Sequence, residues 1–189
     1  MRQNTKVKIA KALIDEVAII PLSEINVSNL INESGVSRKS FYNHFDGLDS
    51  VSDYTIEMVN DSLDLDDFMQ IDNTEELVTR GFEILTNAIY KHRDEIKILY
   101  TSDLSGRWMK FLITTYSTIV KEVVFANYNN KNIIPKSAAI TVYVYTMIAL
   151  IKDWITQPIP VKPVVFRKYL AKVLKTAPED LIYGPHHKF

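Results

Sequence analysis

Between Gly35 and Phe45 the chain reads Gly-Val-Ser-Arg-Lys-Ser-Phe-Tyr-Asn-His-Phe, and hydrogen-bond donors are concentrated here at a spacing suited to an external partner. Read as a helix opening at Arg38, the segment turns about 100° per residue, which leaves Phe41 and Phe45 within about 40° of each other and sends Lys39 and Asn43 to the opposite side. Ser37 stands at the N-cap position, where its hydroxyl can accept from the N–H of Ser40 or its neighbour, and Gly35 supplies the preceding turn. A helix start with free N–H groups beside Arg38, Lys39 and Ser40 suits a phosphate, because the helix dipole and the side-chain charges have the same sign there. Arg and Lys can also donate to guanine O6 and N7, while hydroxyls and Tyr42 can donate to phosphate oxygens. An ordinary amphipathic surface helix fits the same eleven residues, so this stretch alone leaves both readings open.

The preceding segments decide what could hold such a helix. Thr5 to Val17 predicts a first helix, with Ile9, Ala10, Leu13, Ile14 and Val17 on one side and Lys6, Lys8, Lys11 and Asp15 elsewhere. Pro21 closes it, and Pro-Leu-Ser-Glu-Ile-Asn reads as a connection. Asn26 is the expected N-cap of a second helix, whose stripe of Val27, Leu30 and Ile31 is broken by Gly35. Helix, short break, helix is the outline of a helix-turn-helix, in which the second helix of the pair enters the DNA major groove and the first lies across the backbone.

Composition sets outer bounds. A chain of 189 residues can bury a substantial core without covalent staples. With no Cys, disulfides and thiol chemistry are excluded, which fits a reducing cytoplasm. The first residues, Met-Arg-Gln-Asn-Thr-Lys-Val-Lys, have no apolar run of the kind a secretory signal requires. The net charge of -1 hides a strong asymmetry: residues 1–48 carry six Lys/Arg and five Asp/Glu, residues 49–76 none and ten, and residues 77–189 sixteen and eight. The head is therefore less basic than is usual for a nucleic-acid binder, and placement of charge on one face matters more than its sum.

An enzyme would need a nucleophile with a base, a metal cluster or a phosphate loop. The four His are scattered, and neither His-Glu-x-x-His nor a Gly-rich loop occurs. The acidic run Asp53, Glu57, Asp61, Asp64, Asp66 and Asp67 lacks the Gly and terminal Glu of a calcium loop and reads as a solvated face. The expectation is no enzyme, no cofactor and no metal.

The remainder reads as all-helical. A fourth helix is expected from Leu48 towards Phe68, with Val51, Tyr54, Met58, Leu63 and Leu65 inward. Thr74 to Tyr90 carries Leu77, Val78, Phe82, Leu85 and Ile89 at helical spacing, and Glu95 to Tyr100 forms a short piece after it. Leu104 to Tyr128 reads as a long core helix bearing Trp108, Phe111, Leu112, Thr115, Ile119, Val120, Val123 and Val124, ended by Asn129-Asn130-Lys131-Asn132. Ser137 to Ile151 is uncharged over fifteen residues, too short and too rich in hydroxyls for a membrane span and apolar enough to be buried on every side. A second subunit could cover the side its own core does not. A last helix, from Pro163 at N1 to Thr176, has Phe166, Tyr169, Leu170, Val173 and Leu174 in a stripe. The tail His186-His187-Lys188-Phe189 is expected to be loose.

The run from Ile25 to Phe45 resembles the DNA-binding signature of the TetR/AcrR family of bacterial transcriptional regulators. The Gly35-Val36-Ser37, Phe41-Tyr42 and His44-Phe45 elements stand at that family's spacing, and Thr5, Ile9 and Leu13 fit its first-helix pattern; the likeness covers residues 5 to 58 specifically and the rest in outline. The resemblance implies an all-α fold, with a three-helix helix-turn-helix head over residues 1–48 and a helical ligand-binding and dimerisation body over residues 49–189. It implies double-stranded DNA and a small-molecule effector as partners, no membrane, and a homodimer joined through the two C-terminal helices, so that two heads read a palindrome. Carried over position by position, Asn26, Ser28 and Ser37 would approach phosphates, Arg38, Lys39 and Ser40 would read base edges or phosphates, and Tyr42 and His44 would hold the backbone. The effector would lie among Trp108, Phe111, Thr115, Tyr116, Tyr143 and Met147.

The chain departs from the family just after Phe45, where many members carry backbone-gripping lysines and this one has Asp46-Gly47-Leu48-Asp49. A same-fold protein-interaction module without DNA binding is the alternative that this departure supports.

Overall fold

The computed structural model describes residues 4–125 and 135–175, and among these every regular element is a helix. α1 (Thr5–Val17) is started by Asn4, whose side chain accepts from the N–H of Lys6 at 3.1 Å. Its Ile9, Ala10, Leu13, Ile14 and Val17 are buried as their spacing requires. A single 3₁₀ turn, Leu22–Glu24, occupies the expected connection. α2 (Val27–Ser34) begins at Asn26, whose Oδ1 accepts from the Asn29 N–H at 3.0 Å. It ends at Gly35 with φ of 64°, a left-handed position that favours glycine. α3 (Arg38–Tyr42) is shorter than the expected run to Phe45, because at Asn43 and His44 the bonding tightens into turns that still tie the Phe45 N–H to the Phe41 carbonyl at 3.0 Å. Phe41 and Phe45 are buried as expected, at 0% and 4% exposure.

α4 (Leu48–Asp61) packs along α1, and its first turn is tied by Ser50, whose hydroxyl accepts from the N–H groups of Asp46 and Gly47 at 3.1 and 3.3 Å. The single helix expected from Leu48 to Phe68 is in fact broken. After Asp61 the chain turns through Asp64 at φ of 51° and resumes as the one-turn α5 (Asp66–Met69). Aspartates and Ser are poor interior helix residues that favour local turns, and Leu63, Leu65 and Phe68 gain burial from the break.

The body continues through α6 (Thr74–Glu76), a π turn at Leu77–Gly81, and α7 (Phe82–Lys91). Gly81 sits close to the α5 region: a Cβ there would stand 2.8 Å from Ile71 Cδ1, which would have to shift. α8 (Arg93–Thr101) leads into α9 (Ser105–Ile119), which ends in a second π turn, Val120–Val124, rather than running as regular helix to Tyr128. Tyr128, the expected Asn129-Asn130-Lys131-Asn132 stop, Thr176 and the His186-His187-Lys188-Phe189 tail lie outside the described residues.

α10 (Lys136–Thr156) is longer than the uncharged run and is long and apolar enough to cross a membrane by length and composition alone, with a mean hydropathy of 1.4 in its most apolar window. Length therefore does not separate it from a span, contrary to the expectation from fifteen residues. In the fold Val144, Met147, Ile148, Ile151, Trp154 and Ile155 are buried, and the helix packs on α8 and α9. It is not buried on every side, since Val142 and Tyr145 are 66% and 50% exposed. α11 (Pro163–Lys175) packs on α7, its Phe166 and Leu170 are buried, and Phe166 stacks on Trp154 with ring centroids 4.1 Å apart.

Candidate DNA interface and ligand cavity

The head offers its polar side chains over a sealed apolar floor. Ser37 Oγ accepts from the Ser40 N–H at 3.1 Å, so its cap role is filled within the chain while the residue stays exposed. Asn26 is likewise committed to its cap and exposed, and Ser28 follows it on the same first turn, also exposed. Arg38, Lys39, Tyr42 and His44 are exposed, whereas Ser40 is half-buried. The Arg38 guanidinium lies 5.5 Å from the Tyr42 ring centroid, and Tyr42 meets Phe41 edge-on at 5.3 Å. A buried phenylalanine thus braces a tyrosine, which in turn braces an arginine, and this stacking limits the rotamers of both exposed groups.

Lys6 lies over the Tyr54 ring at 4.2 Å and the Phe45 ring at 5.6 Å, gripping α4 from α1. Glu16, on α1 beside α2, has both carboxylate oxygens buried and without a hydrogen bond. Loss of water, and then the charge of Glu33, push its carboxyl above the usual range.

Polar links tie the head and α4 to the rest of the body, and these pairings escaped sequence reasoning. The Leu22 N–H donates to Asp103 Oδ2 at 2.8 Å, across the connection between α8 and α9. Arg107, in the first turn of α9, donates to Asp53 Oδ1 at 2.8 Å and also to Asp49. Tyr116, two and a half turns further along α9, donates its hydroxyl to Asn60 Oδ1 at 2.8 Å. Of the acids expected to form a purely solvated face, Asp53 is thus paired, as is Asp67, which accepts from Arg80 at 3.1 Å. The sequence signal was complementarity: a segment with ten acids and no base needs cations from elsewhere.

Behind α9 lies an apolar cavity of about 100 Å³ between α7, α8, α9 and α10. Of the six residues expected at an effector site, Trp108, Tyr116, Tyr143 and Met147 line it; Phe111 stacks on Trp108 at 5.9 Å without lining it, and Thr115 is not among its walls. Sequence reasoning missed most of the remaining wall, including Leu63, Phe68, Leu77 and Phe82, which come from segments distant in the chain. Burial pushes the Tyr116 and Tyr143 phenols up to about 12 and the Tyr100 phenol higher still. Among the described residues no three His, Asp or Glu converge as metal ligands would.

Residues 76–176 match the model of a family described as a transcriptional regulator C-terminal region. The fold is shared by several solved structures. The fatty acid degradation regulator FadR from Bacillus halodurans aligns with a TM-score of 0.64 at 15% identity, covering 100% of both chains. The dihydroxyacetone kinase operon activator DhaS aligns at 0.59 and 18%, covering 90% of this chain and 94% of that one. NalD, the secondary repressor of the MexAB-OprM multidrug efflux pump in Pseudomonas aeruginosa, aligns at 0.59 and 14%, covering 95% of each. No curated protein matches the chain in sequence.

Proposed function

Because the chain belongs to the TetR family of transcriptional regulators, we propose that it binds palindromic operator DNA as a homodimer and that a small molecule in the apolar cavity controls that binding. The observation that carries the reading is the α3 region, where Arg38, Lys39, Tyr42 and His44 stand exposed over buried Phe41 and Phe45. In this reading the boundary near residue 48 separates a DNA-binding head from a regulatory body. Arg38, Lys39 and Ser40 meet bases or phosphates, Asn26, Ser28 and Ser37 approach phosphates, and Tyr42 and His44 hold the backbone.

Repression follows if the operator overlaps a promoter. The link to the effector runs through α9: Trp108 and Tyr116 face the cavity, while Arg107 and Tyr116 hold α4. A ligand that shifts α9 therefore acts on the helix against which α1 packs, and it controls DNA binding to the extent that it favours one α4 position over another.

The second subunit covers the exposed apolar side of α10 and α11, where Val142, Tyr145, Val164 and Tyr169 lie open. Two-fold pairing would place two α3 segments on half-sites about 34 to 36 Å apart or at a related spacing.

A fluorescence-polarisation titration of the dimer on DNA from upstream of its own gene tests the proposal. Sequence-specific binding supports it, and binding at low salt that does not distinguish this DNA from a scrambled duplex rejects it. The exposed Asp46 and Asp49 beside α3 favour the second reading, a same-fold protein-interaction module. Under that reading Arg38→Ala with Lys39→Ala leaves every activity unchanged.

A further inference from the structure

We propose that the apolar cavity is a site for an uncharged, hydrocarbon-like molecule, a single ring or a short chain, held by shape and dispersion without any hydrogen bond. The proposal rests on the ligand-controlled reading above and narrows it to a chemical class.

The cavity is bounded by irregular backbone at two places. The π turns at Leu77–Gly81 and Val120–Val124 each put their first residue, Leu77 or Val120, in its wall. The carbonyl of that same residue accepts the wide-turn hydrogen bond, from the N–H of Phe82 in the first turn and from that of Phe125, at 3.1 Å, in the second. Under about 1% of residues in globular proteins lie in π helix, and its single turns are frequent at functional sites. Each such turn shifts the side chains that follow it out of α-helical register, so a regular helix at either place would present different groups to the space. A void left by imperfect packing alone has no reason to meet both π turns of the described residues.

Charge is excluded by the wall. None of the lining residues carries one, so a buried carboxylate or ammonium would lose its water with no counter-ion to replace it. Hydrogen bonding is excluded as well. The wall presents almost no polar surface, so its tyrosines turn ring carbon to the space, Tyr143 included. The Tyr116 hydroxyl donates to Asn60 Oδ1 at 2.8 Å, and the Trp108 indole nitrogen is inaccessible, with the Tyr100 hydroxyl as its neighbour.

An apolar space of this kind stays dry, so a hydrocarbon entering it displaces no bound water and gains contacts on all sides. Size sets the remaining limit. About 100 Å³ is somewhat less than the roughly 150 Å³ of an apolar void that takes benzene, which puts the scale at one ring or a short chain.

Benzene, pyridine, phenol and benzoate, titrated calorimetrically into the full-length protein at neutral pH, separate these effects. Pyridine has the shape of benzene and one acceptor that finds no donor in the wall, so benzene should bind roughly fivefold to a hundredfold more tightly. Phenol should be weakened in the same way, and benzoate should show no binding. Val120→Phe fills the space and should abolish benzene binding. Should that variant fail to fold, nuclear Overhauser contacts in the unaltered protein locate the ligand: benzene protons should meet the methyl group of Met147, which lines the cavity. Pyridine or phenol binding as tightly as benzene, as a Tyr143 hydroxyl turned into the cavity would produce, overturns the proposal. So does measurable binding of benzoate, benzene seated away from Met147, or no binding of benzene at all. Binding in the expected order with no change in operator affinity keeps the ligand class and rejects ligand control of DNA binding.

Discussion

Tyr116 and Asn60 are joined by a hydrogen bond of 2.8 Å that ties the wall of the apolar cavity to the last turn of α4. The pair is partly buried, so both side chains lose solvent and regain one bond. Tyr116→Phe keeps the ring in the wall and removes only that bond, which should lower stability to denaturant by about 1 kcal/mol. Asn60→Ala should cost a similar amount, and the double variant less than the sum. The deficit in a double-mutant cycle measures the coupling directly. A strictly additive cycle would show that the hydroxyl and the amide do not act together.

Salt dependence tests the DNA face residue by residue. Removing a side chain that neutralises one phosphate should reduce the slope of log affinity against log salt by about 0.9, whereas removing one that reads a base should change specificity by about 1–3 kcal/mol with less effect on the slope. Lys39→Ala and Arg38→Ala are therefore distinguishable by polarisation titrations at several salt concentrations. Asp46→Lys should steepen the slope and raise affinity for any duplex, because it puts a cation where this chain has an exposed acid. Asp49→Lys is the less clean test, since Asp49 is engaged by Arg107.

What the sequence revealed and what it hid divide along physical lines. The stripes of α1 and α2, the caps at Asn26 and Ser37 and the glycine stop at Gly35 were legible because each depends on residues within a turn or two of one another. The break after Asp61 was missed because Leu63, Leu65 and Phe68 keep an apolar rhythm through it; only the pull of the body's core shows that they turn inward by leaving the helix. The π turn at Leu77–Gly81 left no mark in the apolar spacing, and Gly81 there packs close to Ile71 and Phe68 from outside the helix. The cavity was half visible: aromatics on α9 and α10 suggested it, but its walls from the Leu77 turn, α7 and the residues around α5 are set by tertiary packing alone. Arg107 illustrates the limit most sharply, because its partners Asp49 and Asp53 lie more than fifty residues away.

Alkaline stability should report the buried phenols. Tyr116 and Tyr143 are held neutral to about 12 against an ordinary value of 10. A folded-state value raised above the unfolded one means that the stabilisation is fully present below pH 10 and is lost as pH rises through 12. Denaturation midpoints should therefore fall between those limits. Tyr143→Phe should flatten the decline by up to about 1.4 kcal/mol per pH unit, the effect of one proton. Glu16 gives the acid-side counterpart: its raised carboxyl favours the fold when protonated, and that advantage is lost as pH rises above the ordinary value of 4.5. Glu16→Gln should accordingly stabilise at pH 7 and have little effect at the acid end.

The exposed side of α10 makes the assembly testable without disturbing the protomer. Val142 and Tyr145 lie one turn apart and are 66% and 50% exposed. A glutamate at either position meets water in an isolated protomer and should change its folding stability by less than about 0.5 kcal/mol. In a two-fold interface the same glutamate is buried twice without a partner, which is strongly destabilising to association. Val142→Glu and Tyr145→Glu should therefore sediment as helical monomers and lose operator affinity, because a single head grips only one half-site. Unchanged dimer sedimentation by both variants would place the subunit interface elsewhere, and monomers that bind the operator as tightly as the parent would separate DNA recognition from dimerisation.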